Sequence, residues 1–174
     1  MDETLPRRLA RWVTAEPDWD AVYAEELPRV YNFFRYRLGP EADVEDLTSR
    51  TFEKAWKARH RYRRDVAGFT TWFLGIARNV AIDYLRARRW HVPIEEAAEL
   101  AAGSATPEQQ LLRDSDATRL AELIRTLTDR ERELIALKFG SGLTNRAIAR
   151  ATGYSESNVG TIVHRAVETL RARW

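Results

Sequence analysis

Four polar residues near the end of the chain combine side chains suited to nucleic-acid recognition with a spacing that groups them on one helical face. They are Asn158, Thr161, His164 and Arg165. Amide, hydroxyl and guanidinium groups form hydrogen bonds to base edges, and guanidinium also binds phosphate. Gly160 and Ile162 lie between them, and an isoleucine can contact the methyl group of thymine. The pattern indicates a surface that binds DNA.

An apolar stripe on the opposite side of the same segment must hold this surface in place. Its members are Val159, Val163, Ala166 and Leu170, at the i, i+4, i+7 and i+11 spacing of one helical face. Ser155 is a suitable N-cap, and it follows Gly153 and Tyr154 in a tight turn. A second amphipathic segment, capped by Thr144, precedes the turn. This layout predicts a helix-turn-helix whose second helix enters the major groove, with a plain helical bundle as the simpler alternative.

A second set of candidates mixes aromatic rings with arginines over residues 62–89. Aromatic rings can stack on unpaired bases, while arginines follow a phosphate backbone. The candidate rings are Tyr62, Phe69, Trp72 and Tyr84, and the candidate cations are Arg78, Arg86, Arg88 and Arg89. Packing in the core is the alternative for Trp72, and Phe73 and Ile76 are expected there. The segment is therefore a candidate for binding single-stranded nucleic acid.

The elements that carry these residues are all predicted to be helical. Helical patterns cover 18–38, where Gly39 and Pro40 stop the first helix, and continue over 41–60 and 69–89. Thr128 and Glu131 form a T-x-x-E capping box that starts a further helix. No strand alternation or internal repeat occurs in the sequence. The predicted fold class is all-α.

The composition narrows the class of protein. The 174 residues include 28 Lys and Arg residues, all but three of them Arg, against 26 acidic residues, and no cysteine. The absence of cysteine excludes disulfides and thiolate metal sites. No run is apolar enough to span a membrane, so we expect no membrane insertion and a cytoplasmic location. Arginine suits bidentate contacts with phosphate and guanine, although a GC-rich genome also raises its frequency.

The chain is predicted to divide at a linker over residues 91–106. This stretch contains Pro93, Gly103 and Ser104, and its glutamates make it acidic between two basic regions. We expect a flexible linker between two small helical domains at 18–90 and 107–174. Residues 1–17 form a basic amphipathic extension. Packing on the first domain is the favoured interpretation, and contact with a membrane or a partner is the alternative.

An enzyme is the least favoured class. His60, His91 and His164 are scattered, no glycine-rich phosphate loop is present, and no nucleophile lies near a base in a recognisable motif. We therefore expect neither a catalytic residue nor a metal or other cofactor.

Taken together, the motifs resemble those of the extracytoplasmic-function (ECF) RNA polymerase sigma factors. The resemblance lies in VEDLTSRTFEKAW (44–56), TWFLGIARNVAIDYLRARR (71–89), LTDRERELIALKFGSGLTNRAIA (127–149) and NVGTIVHRA (158–166). The family order and spacing are kept across both halves. The resemblance implies two helical domains that initiate transcription, with core RNA polymerase, promoter DNA and an anti-sigma factor as partners.

The resemblance implies two groups of roles for the first domain, 18–90. The helix around 45–52 is expected to face the polymerase, through Glu45, Asp46, Leu47, Ser49, Arg50 and Phe52. Loop 61–68 and the helix after it are expected to recognise the minus-10 element and to capture an unpaired non-template base. The residues implied there are Tyr62, Arg63, Arg64, Trp72, Arg78, Asn79, Asp83 and Arg86.

For the second domain, 107–174, the resemblance implies recognition of the minus-35 element. The implied residues are Asn158, Gly160, Thr161, Ile162, His164 and Arg165. The linker is expected to run near the RNA path, where its glutamates resemble nucleic-acid charge.

Two motifs depart from the family pattern. Ser49 and Arg50 stand where a glutamine and a glutamate are common in the polymerase-facing helix. Gly160 and Ile162 stand where basic residues are common, which leaves Arg165 as the main cation of the recognition helix.

Two other classes remain as alternatives to a sigma factor. LTDRERELIALKFGSGLTNRAIA also resembles the output domain of LuxR-type regulators, so a one-component regulator is the first of them. Such a protein would carry a receiver or ligand-binding domain, and residues 18–90 show no sign of one. A helical adaptor that binds only protein is the second.

Overall fold

A computed structural model describes residues 18–40, 42–64, 66–91 and 116–174 of the chain. Within these ranges every regular element is helical, which confirms the all-α prediction. The N-terminal extension and nearly all of the predicted linker lie outside the described residues. The division at 91–106 therefore stays a prediction.

Three long helices form the first half. Helix α1 is Trp19–Leu38, α2 is Val44–Ala58 and α3 is Phe69–His91, with a short 3₁₀ turn at Arg59–Arg61 after α2. Asp18 caps α1 by accepting from the backbone N–H of Asp20 at 3.1 Å. Gly39, at φ 85°, ends α1 as the sequence predicts. These helices pack through Phe33 and Phe34 of α1 and Phe73 of α3, which are fully buried.

Four further helices lie in the described part of the second half, residues 116–174. They are α4 (Asp116–Arg125), α5 (Asp129–Ile135), α6 (Asn145–Thr152) and α7 (Glu156–Arg173). The capping box is present as predicted, since the Thr128 hydroxyl accepts from the Glu131 N–H and the Glu131 carboxylate accepts from the Thr128 N–H. Helix α5 continues into a π-helical turn, Ala136–Gly140, in which the Ser141 N–H donates to the Ala136 carbonyl at 3.0 Å.

The two halves pack directly on one another through α1. Gly140 lies so close to α1 that a Cβ added to it would come within 3.1 Å of the Asn32 carbonyl oxygen. Ser141 Oγ donates to the Arg29 carbonyl at 3.1 Å. One hydrophobic core therefore runs continuously from Val30 of α1 to Ala166 of α7.

Two ion pairs join the halves at the edge of this core. Arg37 of α1 is 3% exposed and binds both carboxylate oxygens of Asp129, at 2.8 and 2.9 Å. Arg78 of α3 donates from Nε to the buried carboxylate of Glu133 on α5 at 2.9 Å. A bidentate guanidinium–carboxylate pair fixes orientation as well as distance. We call this arrangement the closed packing.

Candidate nucleic-acid interface

Helix α7 presents the polar face that its sequence predicts. Val159, Val163 and Ala166 are buried, while Ser155 Oγ accepts from the Asn158 N–H at 3.2 Å and caps the helix. Four of the six predicted minus-35 residues are exposed together on the outward face: Asn158, Thr161, His164 and Arg165. These side chains can reach the edges of bases in a groove.

Gly160 and Ile162 lie at the flanks of that face and are half-buried. Ile162 packs against the core, so only part of its side chain remains for a thymine methyl group. A Cβ at position 160 would lie 3.4 Å from the Asn145 amide nitrogen on α6. That is an ordinary contact distance, so the packing of α6 on α7 leaves room for a side chain at position 160.

The turn between α6 and α7 sets the angle of the recognition helix. Gly153 ends α6 in the left-handed conformation, at φ 80° and ψ 5°, which favours glycine. Thr144 caps α6 by accepting from the Ala147 N–H at 3.2 Å, as predicted. The Arg130 guanidinium lies 4.1 Å from the ring centroid of Tyr154, so it links α5 to the turn. Sequence reasoning missed this last contact.

The predicted base-stacking rings of the first half lie together. Tyr62 lies 5.2 Å from Phe69 and 5.2 Å from Trp72 between ring centroids, and Phe69 lies 5.4 Å from Trp72. All three rings are half-buried, so each has one part in the cluster and one part accessible. Arg63 and Arg64 follow Tyr62 and are exposed. Tyr84, the fourth candidate ring, lies further along α3 with Arg88 5.8 Å from its ring centroid.

This aromatic cluster extends further than the sequence suggests. Trp19, in the first turn of α1, lies 4.9 Å from Trp56 and 6.2 Å from Phe69 between centroids. Arg59 covers Trp56, with its guanidinium carbon 4.2 Å from the ring centroid. The chain from Trp56 to Tyr62 is thus attached at both ends to α1 and α3. The number of aromatics near position 60 was the only sequence signal for this cluster.

A buried carboxyl group connects α1 to the start of α3. Glu26 is 2% exposed and accepts from Thr70 Oγ1 at 2.6 Å, whereas its Oε2 is buried and meets no partner among the described residues. Desolvation raises the pKa of Glu26, against the lowering effect of the Thr70 hydrogen bond. Thr70 directly follows Phe69, so this bond positions the first turn of α3 beneath the aromatic cluster.

The outward face of α3 borders a cleft that includes part of the second half. The cleft has a volume of about 550 Å³, and Trp72, Ile76 and Asn79 of α3 form one wall while Arg150 and Ala151 of α6 lie across from them. Asn79 itself is exposed. In the closed packing, α6 therefore lies beside the predicted minus-10 surface.

The remaining predicted minus-10 residues have different surroundings. Asp83 is exposed and lies 3.5 Å from the ammonium of Lys54 on α2. Arg86 is exposed at the next turn. Arg78 is engaged by Glu133, as described above. The structure thus brings Tyr62, Trp72 and Asn79 to one region, whereas Arg78 pairs with a residue of the second half.

The predicted polymerase-facing residues divide between the two sides of α2. Glu45, Asp46, Ser49 and Arg50 are exposed, and Asp46 pairs with Arg50 at 2.7 Å. Leu47 lies in the core at 2% exposure. Phe52 is half-buried, with its centroid 4.8 Å from that of Phe73. A partner could touch the four exposed side chains directly, while Leu47 holds the helix in position.

Within the described ranges, no group of three His, Cys, Asp or Glu side chains could hold a metal ion. None of the helices described is both long and apolar enough to cross a membrane.

Comparison with known families gives two matches that lie in the two halves. Residues 22–91 match the model of Sigma-70 region 2, and residues 117–170 match that of Sigma-70, region 4. The chain is 32% identical over 134 residues to the ECF RNA polymerase sigma factor ShbA of Streptomyces griseus, covering 74% of this chain and 70% of the relative.

A second relative is the ECF RNA polymerase sigma factor BldN of Streptomyces coelicolor. It is 30% identical over 151 residues, which cover 86% of this chain and 57% of BldN. The probable RNA polymerase sigma factor RfaY of Xanthomonas campestris is 32% identical, and the match spans 34% of its length. The chain thus spans only part of the length of these two relatives.

Two solved structures share the fold. One is the sigma factor RpoE in complex with the anti-sigma factor NepR from Bartonella quintana, with a TM-score of 0.69, 21% identity and coverage of 89% of this chain and 95% of that one. The other is CnrH in complex with the cytosolic domain of CnrY, with a TM-score of 0.66, 24% identity and coverage of 95% and 94%.

Proposed function

The chain belongs to the ECF family of RNA polymerase sigma factors, and we propose that it binds core RNA polymerase and directs it to specific promoters. Members of this family are transcription initiation factors, so we assign no catalytic residue and no cofactor, and expect the chain to act in the cytoplasm. One observation carries the proposal: the same chain holds the exposed polar face of α7, on a capped helix-turn-helix, and the aromatic cluster of Tyr62, Phe69 and Trp72.

The second half is proposed to read the minus-35 element as duplex DNA. Helix α7 would enter the major groove, where Asn158 and Arg165 can form hydrogen bonds to base edges or phosphates. Region 4 similarity over 117–170 supports this role. Gly160 and Ile162 would bring the backbone and a methyl group close to the groove floor.

The first half is proposed to capture the minus-10 element in its melted form. Tyr62, Phe69 and Trp72 offer ring faces for unpaired bases, and Asn79 offers an amide for a base edge. Arg63 and Arg64, with Arg86 further along α3, would follow the phosphates. Capture of an unstacked base offsets the few kcal/mol needed to unpair it, so melting requires no ATP.

The exposed residues of α2 are proposed to bind the polymerase. Glu45, Asp46, Ser49 and Arg50 form one accessible polar strip on a helix that is fixed from beneath by Leu47 and Phe52. An anti-sigma factor is proposed as a further partner, since the similar RpoE structure is a complex with one.

This function requires the closed packing to open. Promoter elements centred near positions 35 and 10 are about 25 base pairs apart, which is roughly 85 Å of B-form DNA at 3.4 Å per pair. A compact chain of this length has a radius of gyration of about 16 Å, and hence a diameter near 40 Å. The readers in the two halves can therefore reach both elements only after α5–α7 move away from α1 and α3.

A run-off transcription assay with core polymerase and a promoter library tests the proposal. Wild-type protein should yield discrete start sites, and the double variant His164→Ala, Arg165→Ala should lose most of this activity. Arg171→Ala is the matched control, because Arg171 is exposed on α7 and pairs with the neighbouring Glu168.

Other outcomes of the assay would identify the competing classes. Specific binding to duplex DNA without any polymerase would favour a LuxR-type regulator, although the Sigma-70 region 2 similarity over 22–91 supports the sigma factor. Binding to polymerase without promoter-specific starts would favour the adaptor.

A further inference from the structure

A second cleft lies between the halves, on the side of α1 away from the aromatic cluster. Its volume is about 270 Å³. The C-terminal end of α1 forms one wall, through Arg35, Tyr36 and Leu38, and helix α4 forms the other, through Leu120, Ala121 and Ile124. Clefts at domain boundaries are frequent sites for small ligands.

The walls of this cleft are apolar, but its charge is positive. Leucine, isoleucine and alanine side chains from both halves line it. Of the described residues that form its surface, three are arginines (Arg35, Arg125 and Arg132) and none is acidic. An apolar surface crossed by guanidinium groups suits a ligand with a hydrocarbon body and an anionic group.

Arg132 is the residue whose own environment calls for an anion. Its Nη2 donates to the carbonyls of Arg125 and Leu127 at 2.8 and 3.0 Å, whereas its Nε is buried and meets no acceptor among the described residues. Burial first, and the nearby charge of Arg37 second, lower the pKa of the Arg132 guanidinium below its ordinary value, while the Asp129 carboxylate raises it by less. A further anion, bound in the cleft, would act in the same direction as Asp129.

The volume limits the size of the ligand. An engineered cavity of about 150 Å³ in another protein is large enough to bind benzene. A cleft of about 270 Å³ therefore has room for a ring, or a short alkyl chain, together with an acidic group.

We propose that the cleft between α1 and α4 is a binding site for a small anion with an apolar body, such as an aromatic or short aliphatic carboxylate. Such a ligand touches both halves at once, so it binds only when they are packed together. By mass action it stabilises the closed packing. If the chain acts as the sigma factor proposed above, on which this consequence rests, the ligand would hold it in the form that cannot span a promoter.

The binding site is tested by calorimetric titration of the full chain with 2-naphthoate, beside the neutral analogue 2-naphthalenemethanol. We expect one site for naphthoate and at least tenfold weaker binding of the alcohol. Ala121→Phe fills the cleft and should abolish binding. Arg35→Gln removes one exposed charge and should weaken binding by about two- to fivefold.

Arg146→Gln is the control, since it removes an exposed arginine of α6, a helix with no residue in the described lining of the cleft. The proposal is overturned if naphthoate fails to bind at millimolar concentration, if the alcohol binds equally well, or if the control weakens binding as much as Arg35→Gln does.

Amide hydrogen exchange measures the second part of the proposal. Naphthoate should slow exchange in residues 29–38 and 136–143, whose contact defines the closed packing. It should leave residues 50–57 of α2 unchanged, since these do not line the cleft. Binding without slower exchange there would remove the link to the closed form. Neither measurement involves polymerase, so a chain that binds naphthoate yet starts no transcription would refute the proposed function and leave the site intact.

Discussion

Replacing Glu133 by glutamine should release the proposed minus-10 surface in the free protein. Glu133 is 8% exposed at its side chain and accepts from Arg78 Nε at 2.9 Å across the two halves. Glutamine keeps the shape and one acceptor but removes the charge. Arg78 is then left largely buried, with 23% of its side chain exposed and no counter-charge at that position.

The size of the effect follows from the loss of the ionic part of this hydrogen bond, because glutamine still accepts from Arg78. Hydrogen bonds to charged groups contribute about 1.5–3 kcal/mol and neutral ones about 0.5–1.5 kcal/mol, so the difference is about 1–1.5 kcal/mol. Since the side chain is solvated once the halves separate, this amount is lost from the closed packing alone. The ratio of closed to open molecules should fall by about 5- to 12-fold, at about 1.4 kcal/mol for each factor of ten. Where the closed form dominates, affinity for a ligand of the open form rises by the same factor.

The assay is fluorescence anisotropy of a labelled single-stranded oligonucleotide that carries the minus-10 non-template sequence. Glu133→Gln should bind it more tightly than wild type. Arg78→Ala breaks the same ion pair but also removes a proposed phosphate contact, so it should gain less than Glu133→Gln does.

Glu168→Gln is the matched control, because Glu168 forms an exposed pair with Arg171 at the same distance of 2.9 Å. It should leave the affinity unchanged, since exposed pairs contribute about 0–1 kcal/mol. The reasoning is refuted if Glu133→Gln binds the oligonucleotide no better than wild type, or if Glu168→Gln gains as much.

Three further predictions concern single residues. Arg165→Ala should weaken binding to the minus-35 duplex. If Arg165 contacts a phosphate, the slope of log affinity against log salt concentration should fall in magnitude by about one unit; if it reads guanine, about 1–3 kcal/mol should be lost at one base position. Salt titrations on matched and mutated duplexes distinguish the two. Asn79→Ala should leave binding to core polymerase and to the minus-35 duplex unchanged, but should weaken capture of the non-template strand by about 1–3 kcal/mol. Permanganate should therefore detect less opening of a duplex promoter. Normal opening would exclude Asn79 from this role. The raised pKa of Glu26 means that the folded state holds its proton more tightly than the unfolded state, so the free energy of unfolding loses a contribution as pH rises above about 4.5. Glu26→Gln keeps an acceptor for Thr70 but does not titrate. Its free energy of unfolding in urea titrations should therefore rise relative to that of wild type between pH 4 and 7. A difference between the two proteins that stays constant over that range would contradict the assignment.

The features that could be predicted from sequence are those set by neighbours along the chain. The N-caps at Thr144 and Ser155, and the capping box at Thr128 and Glu131, depend on groups three residues apart, and all are present. The buried stripe of α7 follows from helical spacing in the same way. Local rules of this kind need no knowledge of the rest of the fold.

The closed packing could not be predicted, because its partners are far apart in sequence. Arg37 and Asp129 are 92 residues apart, and Arg78 and Glu133 are 55 apart. In the sequence, Arg37, Asp129 and Glu133 have the pattern of ordinary surface charges, and Arg78 has that of a DNA contact. Helical periodicity does not indicate which distant residue such a charge will pair with. For the same reason, the cleft between α1 and α4 could not be predicted from the sequence.

Trp56 shows that helical spacing alone does not determine burial. It follows Phe52 by four residues, the spacing of one helical face, yet it is 46% exposed. Arg59 and Trp19 cover part of the ring instead of the core. Large aromatic residues are often only partly buried, and here that leaves a ring available beside the aromatic cluster.

The contact of α1 with the π-helical turn also affects how the chain is made. Arg29 and Ser141 meet although 112 residues separate them, so the surface of α1 that receives Gly140 leaves the ribosome long before its cover. At about 5–20 residues per second, that interval is roughly 6–22 s. During synthesis, the nascent first half therefore exposes a binding-competent apolar face for many seconds. Chaperones, or the polymerase proposed above as a partner, have that time to bind it before the second half covers it.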